Sequence, residues 1–222
     1  MEPSSREKIL EVAEARFAQR GFAGVGMREV AQAAGLGKSS LFHHFPSKAG
    51  LYVAVLERAV ERIEGHVLPV LSFEGDVASR LDAAVDALVD SLAEHPTTAR
   101  LLLRTLVEDE QLGNEPTGLV AAEARVHSLI SAFAQLLREG ARTNELRAAA
   151  PAHAVQALIG AAVYHFASGD FGDAVLGRPV FSAESVASYR HELKQLLRSG
   201  LVNPEASPRG RPSRAPKENL PS

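Results

Sequence analysis

The chain has 222 residues, 45% of them hydrophobic and 23% charged, with a formal net charge of −3 at pH 7. That is ordinary for a soluble globular protein of one or two domains with a sizeable core of its own. It contains no cysteine, which excludes disulfides, thiolate metal sites, iron–sulfur clusters and a cysteine nucleophile. No apolar run reaches the ~20 residues that span a bilayer. The first residues carry no signal-peptide pattern, so the expectation is a cytoplasmic protein without membrane contact.

Val, Ile and Leu recur at three- and four-residue spacing, and no alternating strand run stands out. The expected fold is all-α: a short N-terminal three-helix helix-turn-helix module and a larger C-terminal helical bundle, about nine helices in all. The first helix starts at Ser4 or Ser5, because Ser4 with Glu7 three residues on fits a capping box. Ile9, Leu10, Ala13 and Phe17 mark its apolar face, and Gly21 fits a C-terminal stop. A short helix follows from Met27 to Ala34, with Val30, Ala31 and Ala34 inward. Gly35-Leu36-Gly37 reads as a tight turn. A third short helix runs from Lys38 to His44, anchored by Leu41 and Phe45 and ended by Pro46. Ser47 caps a long fourth helix that reaches Leu71.

Further amphipathic helices follow. One covers Asp76 to Glu94, with Val77, Leu81, Val85, Leu88 and Leu92 as its stripe. The next runs from Pro96, a good first-turn residue, to Glu110. Others span Leu119 to Gly140, Pro151 to Ser168 and Ser182 to Ser199. Loops are expected at Gly113-Asn114 and from Gly169 to Pro179. The domains expected are therefore residues 1–46, residues 47–202 and a Pro-rich basic tail, 203–222, too polar to fold on its own.

Charge follows this division. Residues 1–48 carry 7 Lys/Arg against 5 Asp/Glu, residues 49–202 carry 13 against 20, and residues 203–222 carry 4 against 2. An acidic body with basic ends suits a protein that offers one end to a polyanion.

The third helix carries the functional signal. It is too short to serve as a core helix. Its outward residues, Lys38, Ser39, Ser40, His43 and His44, can all donate hydrogen bonds, and none is acidic. Residues 35–48 contain no Asp or Glu, so phosphate repulsion is low. A short polar helix behind a steep glycine turn is the arrangement that enters a major groove.

Arg6 to Leu56 resembles the DNA-binding region of the TetR (tetracycline-repressor-like) family of transcriptional regulators. The matching residues are Ile9-Leu10, Ala13 through Phe17, Gly21-Phe22, Arg28 through Ala31 and Ala34-Gly35. The strongest stretch is Lys38-Ser39-Ser40-Leu41-Phe42-His43-His44-Phe45-Pro46-Ser47-Lys48, with Leu51 after it. The resemblance implies that Lys38, Ser39 and Ser40 face the groove and that His43 contacts a base edge or phosphate. It places Phe42 and His44 on the same DNA-facing helix, Lys48 on phosphate at the start of the fourth helix, and Arg28 near the groove or backbone. Three positions depart from the family pattern. Gly26 stands where a hydroxyl residue usually caps the second helix, Gly37 where Ser usually ends the turn, and Phe42 where Tyr is frequent. Fewer backbone contacts than usual are expected.

The resemblance also implies a homodimer, formed by helices 151–168 and 182–199 through faces bearing Val155, Leu158, Ile159, Ala162, Val163, Val186, Tyr189, Leu193 and Leu196. Such a dimer binds a palindrome-like double-stranded operator. It implies too a repressor released by a small apolar effector of unknown identity. No enzyme, catalytic residue, metal or cofactor is expected. Gly37-Lys38-Ser39 imitates the end of a phosphate-binding loop, but Gln32 stands where that motif needs Gly and a helix precedes it. His43 and His44 are adjacent and cannot share one metal from one helix face, and the 8 histidines form no HExxH pattern.

The candidates for the effector pocket are Arg100, Arg104, Phe133, Tyr164 and His165. Arg100, Arg104 and Glu108, at four-residue spacing, read either as an anion clamp or as a solvated ion-pair face, the second being preferred. Tyr164 and His165, among Ala157, Gly160, Ala161 and Ala162, read equally as pocket lining or as close packing at a subunit interface. Phe133 and Phe171 read first as core. Arg209-Gly210-Arg211-Pro212 resembles a minor-groove hook, against the preferred reading of a generic basic tail.

Overall fold

The structure, a computed structural model, describes residues 4–108, 116–147 and 150–204. Ten helices form among them: α1 (Ser5–Arg20), α2 (Met27–Ala33), α3 (Lys38–His44), α4 (Lys48–Leu71), α5 (Val77–Glu94), α6 (Thr98–Glu108), α7 (Pro116–Arg142), α8 (Pro151–Ala167), α9 (Gly169–Leu176) and α10 (Ala183–Leu201). The one β-feature described is an isolated bridge between Leu146 and Val202. No described helix is long and apolar enough to cross a membrane.

Local chemistry sets five of the ten helix starts. Ser4 caps α1 with a complete capping box: its hydroxyl accepts from the Glu7 amide at 3.2 Å, and the Glu7 carboxylate accepts from the Ser4 amide at 2.7 Å. Ser47 caps α4 through Gly50, Asp76 caps α5 through Ser79, and Ser182 caps α10 through Ser185. Pro151 occupies the first turn of α8, where its missing N–H costs nothing.

Two expectations fail. Pro96 does not open α6; it lies in a turn closed by the Thr98 amide on the His95 carbonyl, and the helix starts at Thr98. The segment from Gly169 to Pro179 is not a loop throughout, because α9 forms inside it. Its glycines mark ends and a contact rather than a break. Gly169 (φ +55) starts the helix, Gly177 (φ +67) ends it, and Gly172 packs so closely on Ser168 and Val180 that a Cβ would collide with both. The count is therefore ten rather than about nine. The expected loop at Gly113-Asn114 and the tail beyond Pro204, with its Arg209–Pro212 motif, lie outside the described residues.

The apolar faces build two cores. The first joins α1, α2 and α3 to the N-terminal half of α4: Ile9, Leu10, Phe17, Val30, Leu41, Phe45, Leu51, Tyr52 and Leu56 are buried together with Leu101 of α6. Phe17 meets the Tyr52 ring edge-on, 4.9 Å between centroids, and Phe22 closes the cluster. The second core fills the space between α4, α5, α7 and α8, with Val67, Leu81, Val85, Leu92, Phe133 and Phe166 among its buried members. α4, 24 residues and so about 36 Å long, contributes to both cores. α10 adds one buried apolar side chain, Leu193, with Val186, Tyr189 and Leu197 packed partly buried against the same core, and charge reinforces the contact. Asp82, Asp86 and Asp90 of α5 pair with Arg198, Lys194 and Arg190 of α10. Such partly exposed pairs contribute about 0–1 kcal/mol each.

Candidate nucleic-acid interface

α2 and α3 meet through Gly35, whose φ of +69 only glycine adopts freely. The Gly35 amide donates to the Gln32 carbonyl and the Leu36 amide to the Ala31 carbonyl, which ends α2 and turns the chain sharply into α3. Neither Gly26 nor Gly37 supplies a side-chain cap, so the first turns of both short helices lack a cap hydrogen bond.

Leu41 (0% exposed) and Phe45 (5%) pin α3 to the first core. The rest of the helix is turned out: Lys38, Ser39, Phe42 and His43 are exposed, and Ser40 and His44 are half-buried. Arg28 is exposed on neighbouring α2. The acid closest in sequence, Glu29, is taken up by Arg16 and Arg20 of α1. The hydrogen bond from Arg20, then the charges of both arginines, hold its carboxyl below the ordinary carboxylate range. From Val30 to Leu56 the chain has no Asp or Glu. The result is a convex helix face of donors and one aromatic ring, with no unpaired carboxylate in its own segment, shaped for a polyanion.

Lys48 is placed differently from the other candidates. Its ammonium donates to the Ala23 carbonyl at 3.3 Å and lies 4.5 Å from the centre of the Phe22 ring. Burial lowers its pKa. It ties the α1–α2 loop to the start of α4 and commits one of its three donors to that task. Lys38→Ala should lower the slope of log affinity for DNA against log salt by about one unit for each lysine removed from the complex. Titrations at three salt concentrations read that slope. Lys48→Ala should lower the melting temperature as well, because the Ala23 carbonyl loses its partner.

The five effector candidates do not converge. The Arg104 Nε donates to the Ala18 carbonyl and its guanidinium also to the Gln19 carbonyl, both at 3.0 Å, so it caps the last turn of α1. The Arg100 guanidinium occupies the space a Cβ would take at Gly169. Phe133 is buried in the second core. Tyr164 is 59% exposed. His165 stacks flat on Tyr189, 3.7 Å between centroids, and burial lowers its pKa. A surface groove of about 240 Å³ lies at the other end of α5, lined by Ala78, Arg147, Arg198, Ser199, Val202 and Pro204, and none of the five borders it.

The residues expected to pair two copies are largely spent inside one. Val155, Leu158, Ala162 and Leu193 fill the second core, and Ile159, Val186 and Tyr189 lean on it. Leu196 alone of that set stands well out, 71% exposed. What α8 turns outward is Ala152, His153, Gln156, Ala157, Gly160, Ala161 and Tyr164. No Asp, Glu, Lys or Arg occurs anywhere in that helix.

Sequence reasoning missed a polar knot behind the DNA-facing module. Glu14 of α1 is 4% exposed. Arg62 of α4 donates to both of its carboxylate oxygens, at 3.0 and 2.6 Å, and Thr97 donates to it at 2.7 Å. Arg62 also donates to Thr98 at 2.9 Å. Burial pushes the Glu14 carboxyl up, but the Arg62 hydrogen bonds and charge, with the Thr97 bond, outweigh it and leave the pKa below its ordinary 4.5. The signal was in the sequence: Glu14 stands at helical spacing between Leu10 and Phe17, an acid on an apolar face.

A helix-turn-helix on a larger helical body thus presents an acid-free helix to solvent. Residues 9–55, the α1–α3 module and the start of α4, match the family described as bacterial regulatory proteins, tetR family. It is 37% identical over 121 residues to the HTH-type transcriptional activator FasR of Mycolicibacterium smegmatis, a match covering 54% of this chain and about half, 52%, of that protein. The ketosteroid transcriptional regulator KstR2 of Mycobacterium tuberculosis shares the fold at a TM-score of 0.74 and 18% identity, over 91% of this chain and 97% of that one. So does AibR in complex with isovaleryl coenzyme A and operator DNA, at a TM-score of 0.71 and 17% identity, over 87% and 97%.

Proposed function

We propose that this protein is a sequence-specific DNA-binding transcription regulator, a homodimer on a palindrome-like operator, released when a small apolar ligand binds. The observation that carries this is α3: a helix pinned by Leu41 and Phe45, presenting Lys38, Ser39, Ser40 and His43 with no acid from Val30 to Leu56. Arg28 and Lys48 flank that face in sequence. The purified protein, offered fragments of its source genome at moderate salt, should enrich a partly palindromic site. Recovery of fragments without a shared sequence would count against it.

The second copy meets the charge-free outward face of α8, where Ala157, Gly160 and Ala161 let two helices approach closely, with α10 beside it. A Cβ at Gly160 meets nothing within 4 Å among the described residues. Gly160→Arg should therefore fold normally yet run at half the mass of the unaltered protein in light scattering. An unchanged mass would remove α8 from the interface.

Release needs a route from ligand to DNA. α6 packs on α8 and holds α1 at two places, through Thr97 at its N-terminus and Arg104 farther along. A ligand seated among α4 to α8 that moves α6 or α4 moves the DNA module with them, and a coupling of ~1–3 kcal/mol is enough for release. The AibR complex adds a second class to try beside wholly apolar ligands, acyl-coenzyme A thioesters, in which only the acyl chain is apolar and the coenzyme A part is anionic. FasR is called an activator, which favours a second reading in which the bound dimer raises transcription. A reporter behind the selected site separates the two by the sign of its response.

A further inference from the structure

Phe42 is the one large apolar side chain that α3 exposes, at 36%, and it belongs to neither apolar core. It follows Leu41, so it is rotated about 100° from that buried residue, onto the flank of the helix one turn beyond Lys38. The Lys38 ammonium lies 5.5 Å from the centre of its ring, a cation–π distance that couples the two side chains. Every other outward side chain of α3 carries a hydrogen-bonding group.

A phenyl ring has neither donor nor acceptor. Against DNA it cannot bond a phosphate or the polar edge of a base. In the major groove each base pair presents donors and acceptors, and one base also presents an apolar group: thymine, through its C5-methyl. An aromatic ring left uncovered on a groove-facing helix has that methyl as its natural contact.

We infer that Phe42 reads thymine: its ring packs on the C5-methyl of one thymine in each half of the operator. This rests on the DNA-binding reading above. It assigns the ring a base, where the departure from the family's frequent Tyr had implied only a lost phosphate contact.

The test uses the tightest-binding fragment selected from the source genome. Each symmetry-related pair of thymines is replaced in turn by deoxyuridine, which removes the methyl and leaves the Watson–Crick pair intact. Affinity is read by fluorescence anisotropy. One pair should stand out, with binding weakened about 4-fold per methyl lost and about 15-fold over both halves. Phe42→Ala, its fold checked by circular dichroism, should bind the thymine and deoxyuridine forms of that site equally. Phe42→Leu, still apolar, should keep a smaller penalty. Equal binding of all substituted sites by the unaltered protein, or an undiminished penalty in Phe42→Ala, overturns the inference while leaving DNA binding intact, and assigns the ring to deoxyribose or to no contact. Selection that enriches no site overturns the DNA-binding reading and this inference with it.

Discussion

Arg62→Ala is expected to destabilise the fold by about 3–5 kcal/mol, the range for stripping the partner from a buried carboxylate. Glu14 is 4% exposed and shares its charge with a guanidinium from another helix through two hydrogen bonds. Without Arg62 it keeps only the threonine hydroxyls of the α5–α6 junction. Urea titration of the two proteins reads the difference. Because the pKa of Glu14 is lowered by folding, its contribution is fully present above the unfolded value near 4.5 and is lost as pH falls through the folded value. The midpoint should therefore hold through neutral pH and drop in acid, and Glu14→Gln should flatten that acid limb. A double change to apolar residues, Glu14→Leu with Arg62→Met, should cost far less than Arg62→Ala alone, because no buried charge is left behind. A loss under 1 kcal/mol in Arg62→Ala would mean that the knot is wet and contributes little.

Ser39→Glu is expected to weaken operator binding by at least about 100-fold, the scale on which a like charge placed against a polyanion costs several kcal/mol. Ser39 is exposed and is the second residue of α3. An acid in the first turn of a helix opposes no dipole and slightly favours the helix. Fold and dimer should therefore stay as they were, with the loss confined to DNA, and anisotropy beside light scattering separates the two. An affinity within threefold of the unaltered protein would place the DNA surface away from α3.

The parts of the fold that were legible are those governed by neighbours in sequence. Ser4 with Glu7, Ser47, Asp76 and Ser182 mark helix starts because a cap is satisfied within three residues, and Pro151 marks one because a first-turn residue needs no N–H. The α3 face was legible for the same reason, since Leu41 and Phe45 fix which side is inward. Pro96 misled because a proline suits both a first helical turn and the turn before one, and the choice fell to Thr97 and Thr98, drawn to Glu14. Glycine misled at 169–177, where packing against Ser168 and Val180 outweighed its loop preference.

Long-range partners were not legible. Glu14 meets Arg62 and Thr98 across 48 and 84 residues, and Lys48 reaches back to Ala23. The periodicity of α8 and α10 identified an apolar side correctly, but periodicity does not say which neighbour covers it. The chain's own core takes Val155, Leu158 and Leu193, and the face α8 turns outward is the small, uncharged one that a hydrophobic count passes over. Arg104 shows the same limit: its spacing to Arg100 and Glu108 suggested an ion-pair face or an anion clamp, while the carbonyls of Ala18 and Gln19 on α1 take it.

The measurement closest to the central claim is the affinity of the purified protein for its selected genomic fragment beside its affinity for random DNA of the same length, both at moderate salt, with the number of chains per duplex counted. A sequence-specific dimeric regulator binds the selected fragment at least ~10³-fold more tightly, two chains to a site. A ratio near one, or no binding to either, would contradict the account.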